Sequence, residues 1–355
     1  MPVDLTRIAA WDYELPEGRI ARYPAERRDA SRLLVVGEAE PEHRTFAELP
    51  ALLDPGDLLV LNESRVLPVR LLGHKPTGAR CEVLLLRPTD DGDERRWEAL
   101  VRPGSKLKPG RRVVIDEGFE VVIEDGTGDG GRVVRLESEL SVEATLERWG
   151  RLPLPPYMER EEEPLDRDRY QTVYARVPGS VAAPTAGLHF TPALLRAIEE
   201  RGVEVARVTL HVGPGTFRPV EVDRVADHAM HSERWEVPRE TGAAIRRTRE
   251  GGGRVWAVGT TVVRTLEAAA LDGVLDGGRG ETELFIAPGF EFRVVDALVT
   301  NFHLPRSTLL MLVGAFAGYR ATMAAYAEAI RERYRFYSYG DAMAIVRRDP
   351  TGASR

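Results

Sequence analysis

Between Arg65 and Arg135 the chain holds only short β-rich segments, while the residues on either side alternate strand-like and helix-like stretches. Val66–Leu72, Cys81–Leu86, Trp97–Val101, Arg112–Ile115, Phe119–Ile123 and Arg132–Leu136 recur at roughly ten-residue spacing. Turn clusters separate them, such as Lys75-Pro76-Thr77-Gly78 and Asp125-Gly126-Thr127-Gly128. Short strands at even spacing with glycine turns can bury a common face only by curling into a small antiparallel barrel or sandwich. A self-contained β unit in an α/β chain is an insertion. The 355 residues are also too many for one ordinary core. The expected division is a discontinuous α/β domain, 1–65 with 151–355, and an inserted β-barrel domain, 66–150.

The α/β part reads clearly in its second half. Thr191 caps a helix with Pro192 at its first position, and Gly202 ends it. Val203–Val212 is an apolar strand running into a glycine loop, and Pro238–Glu250 is a helix closed by three glycines. Val255–Val258 is a strand and Val262–Leu271 a helix, with Gly259-Thr260-Thr261 as the turn between them. Ser307 caps an apolar helix from Thr308, Tyr319–Tyr334 is helical, and Ala342–Val346 is a last strand. This alternation predicts a largely parallel sheet with helices outside.

Composition excludes several classes. A lone cysteine, Cys81, rules out an intramolecular disulfide and any multi-cysteine metal site. Met1–Leu5 shows no basic segment leading into an apolar one, and the apolar run Leu309–Ala317 is about half of a membrane span, so a cytoplasmic location is expected. A net charge of −7 argues against nonspecific coating of nucleic acid. Locally, however, Arg102, Lys106, Lys108, Arg111 and Arg112 crowd one loop without an anion, and Arg331, Arg333 and Arg335 interleave with aromatic residues. Such clusters can track a phosphate backbone and stack bases, or simply be solvated faces.

Chemistry concentrates in loops rich in His, Thr and Gly. Ala183–Thr191 contains His189, and Thr209–Phe217 contains His211. The Gly259-Thr260-Thr261 turn precedes a helix whose free N–H groups favour a carboxylate or phosphate. Asn301-Phe302-His303 runs off another strand end. Loops at the carboxyl ends of parallel strands converge on the crevice where α/β proteins bind ligands. His228, His231 and Glu233 invite a metal reading, but imidazoles three apart share an ion only on a helix face, which the flanking sequence does not provide. No metal is expected; proton transfer or hydrogen bonding is the better use of these imidazoles. No Walker loop, Gly-x-Gly-x-x-Gly turn or Gly-x-Ser-x-Gly elbow occurs. From the residues alone the chain is an α/β enzyme for a polar, partly anionic ligand.

Taken together, the motifs resemble one family, the S-adenosylmethionine:tRNA ribosyltransferase-isomerases of queuosine biosynthesis. The likeness rests on Arg28–Leu33, Gly56–Val66, Leu152–Tyr157, Arg169–Ala175, both histidine loops, His231-Ser232-Glu233, Ala257–Thr261, Thr300–Leu312 and Tyr334–Met343. Val262, Arg306 and Gly314 depart from the pattern, which leads one to expect serine, lysine and serine there. The resemblance implies an α/β barrel-like domain carrying the inserted barrel, and a monomer. It also implies the reaction. The ribosyl part of S-adenosylmethionine passes to the aminomethyl group of 7-aminomethyl-7-deazaguanine at the tRNA wobble position. The product is epoxyqueuosine-tRNA, with adenine and methionine released. No cofactor is implied beyond S-adenosylmethionine, which is consumed.

That chemistry needs a base for a C5′ proton acidified by the neighbouring sulfonium and an acid for departing adenine, and His189 and His211 are the candidates. Gly259, Thr260 and Thr261 are expected to receive the methionine carboxylate. Glu233 or Asp341 is expected to take the amino group or the ribose hydroxyls. Thr185, Gly187 and Phe190 from the first loop complete the expected binding set, with Gly213, Gly215, Thr216 and Phe217 from the second. His231, Asn301, His303 and Arg306 belong to it as well. Tyr170, Phe190, Phe217 and Phe302 are candidates to stack on bases, and the five loop cations to hold tRNA phosphates. Two other readings stand beside this one: an enzyme acting on a free small molecule, and a noncatalytic RNA-binding protein.

Overall fold

The computed structural model describes residues 3–37, 40–128, 130–213, 215 and 220–347. Strands β1 (Arg32–Val36), β2 (Glu42–Thr45), β3 (Leu58–Asn62) and β4 (Ser64–Val66) precede the insertion. Six strands then follow: β5 (Arg70–His74), β6 (Arg80–Pro88), β7 (Arg96–Arg102), β8 (Arg112–Asp116), β9 (Phe119–Gly126) and β10 (Arg132–Ser138). Helices α1 (Val142–Trp149) and α2 (Asp166–Arg169) lead back to β11 (Val177–Ser180), α3 (Pro192–Glu200), β12 (Glu204–Leu210) and β13 (Glu233–Val237). The chain ends with α4 (Arg239–Glu250), β14 (Val255–Val258), α5 (Thr260–Leu271), β15 (Gly278–Thr282), β16 (Ala297–Asn301), α6 (Thr308–Ala317), α7 (Tyr319–Arg331) and β17 (Ala342–Val346).

The insertion is a closed six-stranded antiparallel barrel in the order β10-β7-β6-β5-β8-β9. Alternation closes it: Val83, Leu85, Ala99, Val121, Ile123, Val134 and Leu136 point inward and are buried, while their neighbours face out. The seam between β5 and β8 has a single register pair, His74 with Val114. Gly73 permits it, since a Cβ there would lie 2.4 Å from the Val114 carbonyl oxygen. The stretch expected as one strand, Val66–Leu72, is two, broken at Pro68. Its halves do different work: β4 pairs in parallel with β11 in the body, and β5 belongs to the barrel.

The body is a nine-stranded sheet in the order β15-β13-β12-β3-β14-β16-β17-β1-β2. Adjacent strands β12, β3, β14 and β16 are parallel, as are β17 and β1. Leu58 and Val60 of β3 pack on the face covered by α4, α5, α6 and α7, and Leu59 and Leu61 on the face covered by α3 and the 3-10 helix Phe46–Leu52. Both faces are therefore apolar, as parallel strands require. The α/β class and the inserted barrel are as expected, but the large sheet is open, with antiparallel strands toward both edges. Barrel closure is confined to the insertion. Strand β13 and the edge strand β15 escaped the sequence reading because Glu233–Val237 and Gly278–Thr282 carry too few apolar residues to show a strand pattern. Among the described residues, no single helix is long and apolar enough to cross a membrane.

Candidate active site

The four parallel strands β12, β3, β14 and β16 end on one side of the sheet, and a half-open cavity of about 70 Å³ lies among their loops. Its walls include Ala182–Ala186, Val212, Gly259–Thr261, Thr300–Leu304 and Ser307, closed by Tyr157, Tyr337 and Ser338. Three of the expected strand-end loops thus meet, although among the described residues of the Thr209–Phe217 loop only Val212 is at the wall.

Local rules explain the wall. Gly259 sits at φ +90° between β14 and α5, a conformation open to glycine, and delivers Thr260 and Thr261 as the first residues of the helix. No side chain caps α5, and Thr260 and Thr261, whose N–H groups precede the first intrahelical bonds, line the cavity. Thr261 Oγ1 is buried without a partner. At the end of β16, Asn301 Nδ2 donates to the Tyr337 carbonyl at 3.1 Å, and its Oδ1 is left unsatisfied. Tyr337 itself is held at φ +72°, a strained conformation for a bulky residue, by this bond and by its own N–H donating to the Phe302 carbonyl at 3.1 Å. The Tyr157 and Ser338 hydroxyls lie 2.5 Å apart, and the Tyr157 ring packs on Tyr337.

The histidines divide. His303 lines the cavity, with its Nε2 2.8 Å from Thr300 Oγ1, its N–H donated to Tyr326 Oη and its carbonyl accepting from Tyr13 Oη. Burial pushes its imidazole down to about 3. His189 is outside the cavity wall. Its Nδ1 is 2.7 Å from Ser31 Oγ, its Nε2 3.1 Å from Asn301 Nδ2, and its ring packs on Phe46. Burial, with the charges of Arg335 and Arg28 adding to it, holds this imidazole down to about 3 as well. Both ring nitrogens of His189 are thus engaged, one with Ser31 and one with Asn301. His211 lies in a third place, a hollow shared with Arg234, Glu236 and Arg279; burial lowers its pKa, and its Nδ1 has no partner. The two histidines expected to share the acid/base work therefore do not converge.

Several other expected residues have partners within the protein. Glu233 is buried in an ion pair with Arg264 and accepts the Gly213 N–H at 3.0 Å, so it fastens the loop after β12. Asp341 accepts the N–H groups of Arg32 at 2.9 Å and Arg335 at 2.7 Å, which ties β1 to the loop before β17. Arg306 points to Asp12 at 2.8 Å. Phe190 and Tyr170 are fully buried in ring contacts with Phe46 and Tyr339, so neither is free to stack on a base. Phe302 touches the cavity but is buried among Tyr326, Tyr334 and Phe336. Gly187 packs under the Tyr174 hydroxyl, while Gly215 and His231 line a separate cavity with Arg264. Among the described residues, no group of three His, Cys, Asp or Glu side chains is placed to hold a metal ion. Thr185, Gly259, Thr260, Thr261, Asn301 and His303 are the expected residues that the structure brings together. Thr216 and Phe217 lie outside the described residues.

On the barrel, Arg102, Lys106, Lys108, Arg111 and Arg112 are all exposed, with Arg112 paired to Glu120 at 2.8 Å. The loop is rigidly built: Leu107 plugs the barrel, and the Arg132 guanidinium donates to the Gly104 and Leu107 carbonyls at 2.9 Å. These cations sit at one end of β7. The opposite end carries the Asp90 hairpin, which joins the body through Arg234 at 2.7 Å.

Residues 8–345 match the family model described as queuosine biosynthesis protein. The chain belongs to this family. It is 56% identical over 346 residues to an S-adenosylmethionine:tRNA ribosyltransferase-isomerase of Symbiobacterium thermophilum, covering 96% of this chain and all of the relative. It is 54% identical over 345 residues to the protein of the same name from Anaeromyxobacter sp. strain Fw109-5, covering 97% of this chain and 100% of the relative. The crystal structure of the S-adenosylmethionine tRNA ribosyltransferase of Thermotoga maritima superposes with a TM-score of 0.55 at 42% identity, covering 95% of this chain and 100% of that one. The family's members are transferases, and this chain is an enzyme of that kind. Ser31, Tyr157, Ser307, Tyr337 and Ser338 escaped the candidate set. All five stand within the motifs that carry the resemblance, but nothing in the sequence shows that Tyr157 and Ser338, on segments so far apart, close one wall.

Proposed function

We propose that this enzyme transfers and isomerises the ribosyl moiety of S-adenosylmethionine onto 7-aminomethyl-7-deazaguanine at the tRNA wobble position, giving epoxyqueuosine-tRNA, adenine and methionine. The observation that carries the reading is the cavity where the uncapped start of α5, the unsatisfied Asn301 Oδ1 and the neutral His303 imidazole converge. The methionine carboxylate binds at the Thr260 and Thr261 N–H groups, where the helix dipole favours a negative charge. Asn301 Oδ1 accepts from a donor of the ligand, either the ammonium or a ribose hydroxyl. His303 replaces His189 and His211 as the imidazole that meets the substrate and moves its proton, with Thr300 fixing the ring. His189 acts through Asn301.

In this reading the body, 1–65 with 151–355, works as the catalytic unit, and the inserted barrel, 66–150, presents its exposed cations to tRNA phosphates. The enzyme acts as a cytoplasmic monomer and needs no cofactor besides the donor it consumes. The wobble nucleotide lies in an unpaired loop, so turning its base into the cavity costs about a few kcal/mol at most.

The deciding experiment is mass spectrometry of a reaction with S-adenosylmethionine and tRNA bearing the aminomethyl-deazaguanine, without added metal. Equal amounts of adenine, methionine and epoxyqueuosine nucleoside are expected. Bound tRNA with no adenine released would sink the reading, and adenine without nucleoside change would move it to another acceptor.

A further inference from the structure

A second, smaller half-open cleft adjoins the first, with Ser338 in both walls and His189, which bridges to Asn301, in its own. Arg28, Arg169 and Arg335 line it. Two of the three guanidiniums are fixed by backbone carbonyls. Arg28 Nη1 donates to the Gln171 and Leu188 carbonyls at 2.9 and 3.2 Å, and its Nη2 to the Asp168 carbonyl at 2.7 Å. Arg169 donates to the Ala25 and Glu26 carbonyls at 2.6 and 3.2 Å, and its buried Nε has no partner. Arg335 is held more loosely, through a 3.4 Å bond to the Tyr23 carbonyl.

Carbonyls orient a guanidinium but do not cancel its charge. Among the described residues, the carboxylates within 4 Å are Asp168, 3.6 Å from Arg28 with its side chain 85% exposed, and Asp341, 3.9 Å from Arg335. Asp341 is already committed to two backbone N–H groups. Arg169 has no carboxylate partner within that distance among the described residues. Three cations, two of them firmly oriented, in a small, partly buried space are therefore undercompensated, which is costly unless an anion completes the site. Planar guanidinium donors match the oxygens of a phosphate.

We infer that the Arg28–Arg169–Arg335 pocket holds a backbone phosphodiester of the RNA substrate, next to the nucleotide whose base occupies the larger cavity. The inference rests on the proposed function. The shared Ser338 wall sets the two sites side by side, as a base and a neighbouring phosphate of one strand are. The role differs from that of the barrel cations, which are exposed and belong to neither cavity wall: this pocket sets the register of the reacting nucleotide.

The test uses Arg335→Gln, whose side chain is 36% exposed and whose loss the fold should tolerate, together with Arg169→Gln. Binding of full-length tRNA is measured across a salt series, with S-adenosylmethionine affinity and melting temperature in parallel. Loss of one phosphate contact predicts tRNA affinity about tenfold weaker and a log–log salt slope shallower by about 0.7. S-adenosylmethionine affinity should not change. If the wild-type enzyme modifies tRNA while Arg335→Gln keeps its tRNA affinity and slope, the phosphate site is wrong and the proposed function stands. A loss confined to S-adenosylmethionine affinity also overturns the site, assigning these arginines to the donor. If wild-type protein neither binds nor modifies tRNA, both readings fall.

Discussion

Lowering the pH from 7 to 5 should destabilise this protein mainly through two buried imidazoles. His189 and His303 are each held down to about 3 by burial. An unfolded imidazole takes up its proton near pH 6.5, the folded one only near 3. Between those values the unfolded chain binds more protons, so the stability is fully present above about pH 7 and is lost progressively as pH falls through 6.5 toward 3. At pH 5 the loss relative to pH 7 is about 2 kcal/mol for each histidine, about 4 kcal/mol for both. His211 and His228, also lowered by burial, act in the same direction. Urea unfolding at pH 7, 6 and 5 gives the slope, and His189→Gln and His303→Gln should each flatten it by about 2 kcal/mol over that range, whatever they do to absolute stability. Wild-type slopes in both variants would show that the imidazoles titrate normally in the fold, and the neutral His189–Asn301 bridge would go with them. The same reasoning bears on catalysis. Any inflection in the pH–rate profile between 6 and 8 should persist in His189→Gln, because His189 does not titrate there.

Other expectations follow from packing and charge. Gly314→Ser restores the residue the family pattern leads one to expect, yet its Cβ would lie 2.3 Å from the buried Trp11 ring. It should cost about 1–3 kcal/mol, read as a melting temperature lower by about 1–4 °C. Arg264→Met removes the partner of buried Glu233 and should cost about 3–5 kcal/mol in chemical denaturation. The double variant with Glu233→Gln should recover much of that loss. Neutralising Lys106, Lys108 and Arg111 together should leave melting and S-adenosylmethionine affinity unchanged while flattening the tRNA salt slope by about 2–3. An unchanged slope would remove the barrel from tRNA binding.

Much of this architecture is written in local rules. The Thr191 and Ser307 caps are where the sequence places them, accepting from the Leu194 and Leu310 N–H groups at 3.1 Å. Ala342–Val346 is a strand end to end because five apolar residues in a row leave it no exposed face. The six barrel strands announce themselves by alternation and glycine turns. What periodicity does not carry is the order of strands. β17 lies between β16 and β1, antiparallel to one and parallel to the other, and that arrangement is settled by packing across the whole chain. The open sheet follows from it, and no stretch of sequence states it.

The site divides along the same line. Gly259-Thr260-Thr261 was legible because a strand, a glycine and a helix start fix where the N–H groups point. The histidines were not, because a motif gives a residue type but not the side of the loop to which its side chain turns. His189 is the last residue of a 3-10 turn that directs its ring back onto Phe46 and Ser31, whereas His303, three residues past Thr300, is turned to the cavity by the hydroxyl it bonds. Glu233 and Asp341 looked like ligand groups for the same reason. A carboxylate amid glycines reads as exposed chemistry until a distant partner, Arg264 or the Arg32 N–H, is known to claim it. The converse holds for Arg28, Arg169 and Arg335, which come from three separated segments. Only their convergence in one cavity makes them a site, and their shortage of carboxylates points to an anion.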